Sequence, residues 1–125
     1  MPAPLILIAH GSRLEAANDE IRHLSQALSA RLKREVLPAF LELAAPSIAE
    51  ALQVLVQRGV AKIQIFPYFL AQGRHVQRDI PALVAEVALA HPEVEFEMLN
   101  YLGGQERWLE LLAQLLAGMA DRWKA

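Results

Sequence analysis

The chain has 125 residues, of which 54% are hydrophobic and 21% charged, a composition typical of one globular domain over residues 1–125. Twelve basic against fourteen acidic side chains give a net charge of -2, which provides no overall positive field for nucleic acid or an anionic membrane. The chain contains no cysteine, so disulfides, thiolate metal sites and a cysteine nucleophile are excluded.

Predicted strands and helices alternate along the chain. Short aliphatic runs predict strands at 5–9, 35–41, 62–66 and 93–99. Apolar residues three or four positions apart predict helices at 15–33, 46–58, 79–90 and 105–123. The connection at 67–78 shows no periodicity, and long loops in compact domains are often functional. Because the apolar run at 5–9 is too short for a transmembrane segment and lacks a basic flank, we expect a cytoplasmic protein.

The pattern also makes finer predictions at four residues. Helical spacing places Leu32 on the buried stripe of the first helix, and alternation places Met98 on the buried face of the last strand. Gly59 is expected to end the second helix, and Asp79 to cap the start of the third.

Strands joined by helices with right-handed crossovers predict an α/β fold. We expect an open parallel four-stranded sheet of order 2-1-3-4 with helices on both faces, a flavodoxin-like three-layer sandwich. In that order the first strand is a topological switch point, where the loops after the first and third strands diverge and leave a crevice at the carboxyl edge. A functional site is expected at that edge.

Two histidines follow the strands that flank this crevice. His10 stands directly after the first strand beside Gly11, and His75 lies in the loop after the third. Because these strands are expected to lie about 4.8 Å apart, the residues that follow them can converge within reach of one metal ion. Taken alone, a histidine after a strand is explained by a hydrogen bond to a local carbonyl group.

Glu42 follows the second strand at the same edge and could add a carboxylate oxygen. Alone, it is also explained as a solvated loop acid or as the partner of an arginine. Two imidazoles and one carboxylate, with coordination positions left open, suit Co²⁺, Ni²⁺, Fe²⁺ or Zn²⁺. The remaining histidines, His23 and His91, are interpreted as structural or surface residues.

Side chains suited to an anionic, partly apolar ligand lie in the same loops. The arginines are Arg13, Arg74 and Arg78, and the apolar group is Tyr68, Phe69 and Leu70. Guanidinium groups pair bidentately with carboxylates, although surface salt bridges are the alternative explanation. The apolar residues could form a wall of the site or belong to the core.

Several known signatures are absent. No G-x-x-x-x-G-K-[ST] or G-x-G-x-x-G follows the first strand, so neither ATP nor a dinucleotide is expected. There is no G-x-S-x-G nucleophile elbow. Strands one and three are followed by His10 and Pro67, not by the acid of a phosphoacceptor domain, and Ala9 stands where a histidine phosphatase of the Arg-His-Gly type carries arginine.

Three segments carry a resemblance to a known family: LILIAHGSR at 5–13, FLEL at 40–43 with Pro46-Ser47, and FLAQGRHVQRDIP at 69–81. The sequence resembles the short sirohydrochlorin chelatases, the CbiX-like class II chelatases of cobalamin and siroheme biosynthesis, over nearly its whole length. The resemblance implies a chelatase-like fold and ATP-independent insertion of a divalent metal (Co²⁺, Fe²⁺ or Ni²⁺) into sirohydrochlorin, a macrocycle with eight carboxylate arms.

The resemblance also implies roles for individual residues. His10 and His75 would bind the metal and accept pyrrole protons, with Glu42 as a third ligand. The residues expected to contact the substrate are Ser12, Arg13, Tyr68, Phe69, Gly73, Arg74 and Arg78. A homodimer is implied as well, without nucleic acid or membrane partners. A carrier that holds metal or tetrapyrrole without turnover is the alternative function.

Overall fold

The structure is a computed structural model that describes residues 2–119, except for the side chain of His75. All strands are parallel and lie in the order β2-β1-β3-β4, as predicted. The strands are β1 (Leu5–Ala9), β2 (Val36–Phe40), β3 (Lys62–Pro67) and β4 (Glu95–Met98). The helices are α1 (Glu15–Leu32), α2 (Ile48–Gln57), α3 (Ile80–Ala90) and α4 (Trp108–Met119).

The core lies on both faces of the sheet. On one face, α2 and α3 pack on alternate residues of β1 and β3, and on the other face α1 packs on β1 and β2. All five residues of β1 are buried, as expected for a central strand of a parallel sheet covered on both faces. This central position brings the end of β1, and therefore His10, between the loops that follow β2 and β3.

Local sequence signals explain the ends of α2. The Ser47 side chain accepts a hydrogen bond from the backbone N–H of Glu50, and the Glu50 carboxylate accepts one from the backbone N–H of Ser47. This capping box satisfies two N–H groups that a helix start leaves open. Gly59, with φ 78°, follows the last turn of α2, as predicted.

Asp79 does not cap α3, contrary to the prediction. Its backbone is helical because a π-helical turn over His75–Asp79 runs directly into α3. The prediction that 67–78 lacks regular structure is therefore wrong for residues 75–78. The sequence gives no signal for this turn, since π-helical pairing depends on how the segment packs.

The predictions that Leu32 and Met98 are buried are both wrong, and both residues lie at the end of an element. Leu32 is exposed because α1 ends at this residue, and Lys33 turns away with φ 53°. Met98 is exposed because it is the last residue of β4, an edge strand with a neighbour on one side only. At both positions the apolar periodicity continues beyond the packed part of the element.

The last helix begins at Trp108, three residues later than predicted, because a short 3-10 turn at Leu102–Gly104 is followed by extended backbone at Gln105. Its predicted end at Trp123 lies outside the described residues. Within residues 2–119, no helix has the length and apolar character required to cross a membrane.

Candidate functional site

His10 and Glu42 meet at the carboxyl edge of the sheet. The Nε2 atom of His10 lies 2.9 Å from Oε1 of Glu42, although the residues are 32 positions apart in the chain. The side chains are 43% and 55% exposed, so both reach solvent. One imidazole nitrogen and one carboxylate oxygen are therefore presented together at the predicted crevice.

The backbone holds this pair together. The N–H of Leu41 donates to the carbonyl of Ala9 at 2.9 Å, and the N–H of Glu42 donates to the carbonyl of His10 at 3.0 Å. These bonds extend the pairing of β1 and β2 beyond both strand ends. The separation of the two side chains is thus set by sheet register and not by a flexible loop.

Gly11 makes the close approach of these two segments possible. Its φ is 96°, and a Cβ atom at this position would lie 1.7 Å from the carbonyl oxygen of Glu42. Glycine is required here for both reasons, because it adopts positive φ readily and leaves room for the neighbouring backbone. The glycine after His10 therefore positions Glu42.

Leu43 is a candidate that the sequence pattern did not identify. Its φ is 67°, in the left-handed region that costs a residue with a side chain about 1–2 kcal/mol. Its side chain is nevertheless 55% exposed, directly after Glu42. An exposed leucine in this conformation beside His10 and Glu42 is a candidate contact for a ligand. No propensity signal marks such a leucine in the sequence.

Arg22 of α1 holds the loop that carries Glu42. Its Nη2 donates to the carbonyl of Ala45 at 2.9 Å, and its guanidinium lies 5.2 Å from the centroid of the Phe40 ring. It also pairs with Glu15 and Asp19, and the hydrogen bond from Arg22 lowers the pKa of Glu15.

Asn18 fixes the loop after β1. Its side chain is buried, accepts from the N–H of Ser12 at 2.9 Å and donates to the carbonyl of Ser12 at 2.8 Å. The Ser12 hydroxyl accepts from the N–H of Leu14 at 3.0 Å, so this predicted substrate contact also forms a local turn. A buried amide on a helix needs such partners, but the sequence alone does not show that Asn18 is buried.

The loop after β3 starts beside the end of β1. The N–H of Tyr68 donates to the carbonyl of Ile8 at 2.8 Å. Further along, the backbone of His75 opens the π-helical turn, a rare form found frequently at functional sites. The side chain of His75 lies outside the described part of the structure, so its convergence with His10 stays a prediction.

The described side chains supply two of the three predicted ligands. Among them, no group of three or more His, Cys, Asp or Glu residues could hold a metal ion. A three-ligand site built on His10 and Glu42 therefore depends on His75.

The predicted arginines follow β1 and β3 in the chain and expose their side chains. Arg13, Arg74 and Arg78 are exposed, and none of them forms an ion pair with another described side chain. The surface salt bridges considered from the sequence are thus not observed in the described part of the chain. The three guanidinium groups remain open to an anionic ligand.

The predicted apolar residues divide between the surface and the core. Tyr68 and Leu70 are exposed, whereas Phe69 packs partly against the core under α2 and α3. Phe69 is therefore better placed to support the loop than to contact a ligand. Gly73 is exposed, and a Cβ atom there would meet nothing within 4 Å.

A cavity of about 560 Å³ adjoins the pair on the α1 side of the sheet. It is lined by Gly11, Ser12, Asn18, Phe40 and Tyr68 together with further residues of α1. This volume lies within the range of small-molecule pockets. His10 and Glu42 stand beside the cavity and do not line it, so a flat ligand would have to lie across the edge to reach both.

The family model CbiX matches residues 4–118 of the chain. The chain belongs to the CbiX family. Among its relatives, sirohydrochlorin ferrochelatase, chloroplastic, from Arabidopsis thaliana is 34% identical over 99 residues, which cover 78% of this chain and 42% of that protein. Sirohydrochlorin cobaltochelatase from Saccharolobus islandicus is 31% identical over 116 residues, covering 88% of this chain and 90% of that protein.

Comparison with a solved structure confirms the predicted chelatase-like fold. SirB from Bacillus subtilis with Fe³⁺ superposes with a TM-score of 0.84 at 25% identity, covering 100% of this chain and 49% of that chain. This CbiX-family chain therefore spans less than half the length of the Arabidopsis protein and of SirB, but most of the Saccharolobus protein.

Proposed function

We propose that this CbiX-family protein inserts a divalent metal ion into sirohydrochlorin without ATP, with Co²⁺ as the first candidate metal and Fe²⁺ or Ni²⁺ as the others. The observation that carries the proposal is the exposed pair of His10 and Glu42, 2.9 Å apart at the carboxyl edge. Relatives named as sirohydrochlorin cobaltochelatase and ferrochelatase support metal insertion into sirohydrochlorin and the choice of Co²⁺ or Fe²⁺.

The spacing of the pair suits one metal ion. Donor atoms 2.9 Å apart that each lie about 2.1 Å from an ion subtend about 90° at that ion, as neighbouring ligands of an octahedral site do. With His75 as the third ligand, several coordination positions stay open for the pyrrole nitrogens. Such a site holds the ion without enclosing it, which insertion requires.

The pair of His10 and Glu42 can accept a proton once the metal ion has left it. Insertion forms bonds from the metal to the macrocycle nitrogens and releases two pyrrole protons. One proton goes to His10 and the other to His75, because neutral imidazole is an effective base near neutral pH. Protonated Nε2 of His10 then donates to Oε1 of Glu42 at the observed separation, a charge-assisted hydrogen bond that stabilises the imidazolium.

The surrounding residues are proposed to hold the macrocycle. Arg13, Arg74 and Arg78 would pair with its carboxylate arms, since their guanidinium groups are exposed and make no ion pair with a described side chain. The exposed ring of Tyr68 would pack on the macrocycle, and Ser12 and Gly73 would contact it through the two loops.

A turnover experiment tests insertion against simple binding. Sirohydrochlorin and Co²⁺ are mixed in large excess over the protein, and the absorbance of the metallated product is followed. The proposal predicts product far beyond the amount of protein, at a rate proportional to protein concentration. Product that stops at one equivalent per protein would show a carrier instead.

We further propose that the protein acts as a cytoplasmic homodimer. The Saccharolobus relative has nearly this chain length, whereas SirB accommodates the same fold in about half of its chain. A second copy of this chain would give a particle of the size of SirB. Sedimentation of the protein tests the dimer, and fractionation of the producing cells tests the location.

A further inference from the structure

A second cavity lies at the amino edge of the sheet, opposite the edge that carries His10 and Glu42. Its volume is about 740 Å³. It is lined by the segments that directly precede the first three strands and by the start of β3, namely residues 2–4, 33–35 and 60–61 with Lys62 and Gln64. The five residues of β1, at about 3.3 Å each, separate the two edges by roughly 16 Å. This cavity is therefore distinct from the site proposed for metal insertion.

Arg34 lines this cavity with a charge that no described carboxylate neutralises. Its side chain is partly buried, and its Nη2 donates to the neutral amide oxygen Oε1 of Gln64 at 2.6 Å. Its Nε atom is buried and has no hydrogen-bond partner among the described residues. Removing a charge from water costs free energy unless an opposite charge and hydrogen bonds compensate for it. Within the described part of the chain, Arg34 lacks the acidic partner that its burial requires.

The end of α1 does not explain the position of this guanidinium. Cations near a helix C-terminus commonly bind its last carbonyl groups, but no hydrogen bond joins Arg34 to a described carbonyl of α1. Its side chain instead reaches across the start of β1, which lies between β2 and β3, to Gln64. The Gln64 amide is itself held, because its Nε2 donates to Oε1 of Glu97 at 2.8 Å. Arg34 is thus fixed at the cavity by a neutral, oriented partner.

The other charged residues of the lining differ in how they are paired. Glu35 accepts two hydrogen bonds from Nη1 of Arg58, both at 2.6 Å. Lys62 pairs with the two glutamates of β4 at 3.3 and 3.0 Å. Lys33 is exposed and forms no ion pair with a described side chain. The cavity therefore presents the positive charges of Lys33 and Arg34 without balancing acids from the described residues.

The rest of the lining is apolar. It consists of Pro2, Ala3, Pro4, Val60 and Ala61, none of which has a polar atom in its side chain. A small hydrated anion gains nothing from such a surface. A carboxylate attached to an apolar body can pair its charge with the guanidinium group while its body covers the aliphatic side chains.

We propose that the cavity at the amino edge binds an organic carboxylate, one carboxylate group on an aliphatic or aromatic body. The planar guanidinium group of Arg34 suits a carboxylate, and Lys33 adds a second positive charge. The cavity volume of about 740 Å³ lies within the range of small-molecule sites. Because the cavity and the His10 edge are at opposite ends of β1, this inference stands or fails separately from metal insertion.

Calorimetric titration of the full chain with octanoate tests the proposal. One octanoate is expected to bind per chain, with acetate and inorganic phosphate binding about tenfold more weakly or less because both lack the apolar body. Arg34→Gln is expected to raise the Kd for octanoate by about tenfold or more, since a charged hydrogen-bond donor is lost. Arg31→Gln, which removes an exposed arginine of the last turn of α1 outside the lining, is the matched control and is expected to keep the wild-type Kd.

A second pair of variants keeps the test valid if Arg34→Gln fails to fold, which urea unfolding would show. Ala61 is exposed and lines the cavity, so Ala61→Glu adds a carboxylate that repels octanoate, and Ala61→Gln adds the same bulk without charge. Ala61→Glu is expected to bind octanoate about tenfold more weakly than Ala61→Gln. The proposal would be overturned if octanoate did not bind, if phosphate bound as tightly as octanoate, or if Arg34→Gln and Ala61→Glu left the octanoate Kd unchanged.

Discussion

Gly11 and Glu42 are in backbone contact, so close that a Cβ atom on Gly11 would lie 1.7 Å from the Glu42 carbonyl oxygen. The residue after the candidate base therefore determines where the candidate carboxylate stands. This relationship joins the sheet register to the chemistry proposed for its carboxyl edge.

Gly11→Ala is expected to lower the free energy of unfolding by about 2 kcal/mol or more and to reduce insertion, because both the positive φ and the Glu42 backbone oppose a side chain. Gly59→Ala is the matched control. Gly59 has φ 78° but open space around it, so this variant measures backbone strain alone, about 1 kcal/mol. Urea unfolding compares the two. An equal loss of unfolding free energy in the two variants would show that the Glu42 backbone does not oppose a side chain at position 11.

Leu43→Asn is expected to raise the KM for sirohydrochlorin by several-fold while the free energy of unfolding changes little. Asparagine tolerates the left-handed backbone of this position but removes the exposed apolar surface beside Glu42. Steady-state kinetics measure the effect, with Leu89→Asn as an exposed leucine away from the site. An unchanged KM would mean that Leu43 does not contact the macrocycle.

Acid is expected to weaken the α2 capping box. The backbone N–H and side chain of Ser47 hydrogen-bond the Glu50 carboxylate and lower its pKa below the ordinary 4.5. A lowered folded-state pKa gives stability that is present above pH 4.5 and is lost as the pH falls through the folded value. Urea midpoints measured from neutral pH to below pH 4.5 should fall less steeply for Glu50→Gln than for wild type. If the urea midpoints of wild type and Glu50→Gln fell equally with pH, the capping-box prediction would be wrong.

Much of the architecture followed from the sequence because it depends on patterns that are local in the chain. The apolar runs and their helical connections predicted the strand order, and the strand order predicted that Glu42 would reach the edge beside His10. The Gly59 cap and the Ser47 start of α2 are likewise local signals.

The features that escaped prediction depend on tertiary contacts. The left-handed backbone of Leu43, the clamp of Asn18 on Ser12 and the π-helical turn at His75–Asp79 depend on how loops and helices pack in the folded chain. The lack of buried residues in α4 is of the same kind, since periodicity predicts an apolar face but not the surface that covers it.

Glu42→Gln is expected to weaken Co²⁺ binding and slow insertion by about tenfold or more, because a neutral amide replaces the proposed carboxylate ligand and even outer partners of a ligand are worth that much. The amide keeps the size of the side chain, so the fold and the contact with Gly11 should persist. Calorimetric titration with Co²⁺ and initial rates give the two values, and Glu106→Gln, on the loop before α4, is the control. Wild-type binding and rate in Glu42→Gln would remove Glu42 from the site.

The most direct measurement is the initial rate of Co²⁺ insertion into sirohydrochlorin by wild type, His10→Ala, His75→Ala and the control His23→Ala, which alters an exposed histidine of α1. Urea unfolding of each variant shows whether the fold is retained. We predict that insertion is lost in His10→Ala and in His75→Ala, whereas His23→Ala keeps the wild-type rate and all three variants stay folded. Full activity in a folded His10→Ala or His75→Ala variant would contradict the paired-histidine mechanism.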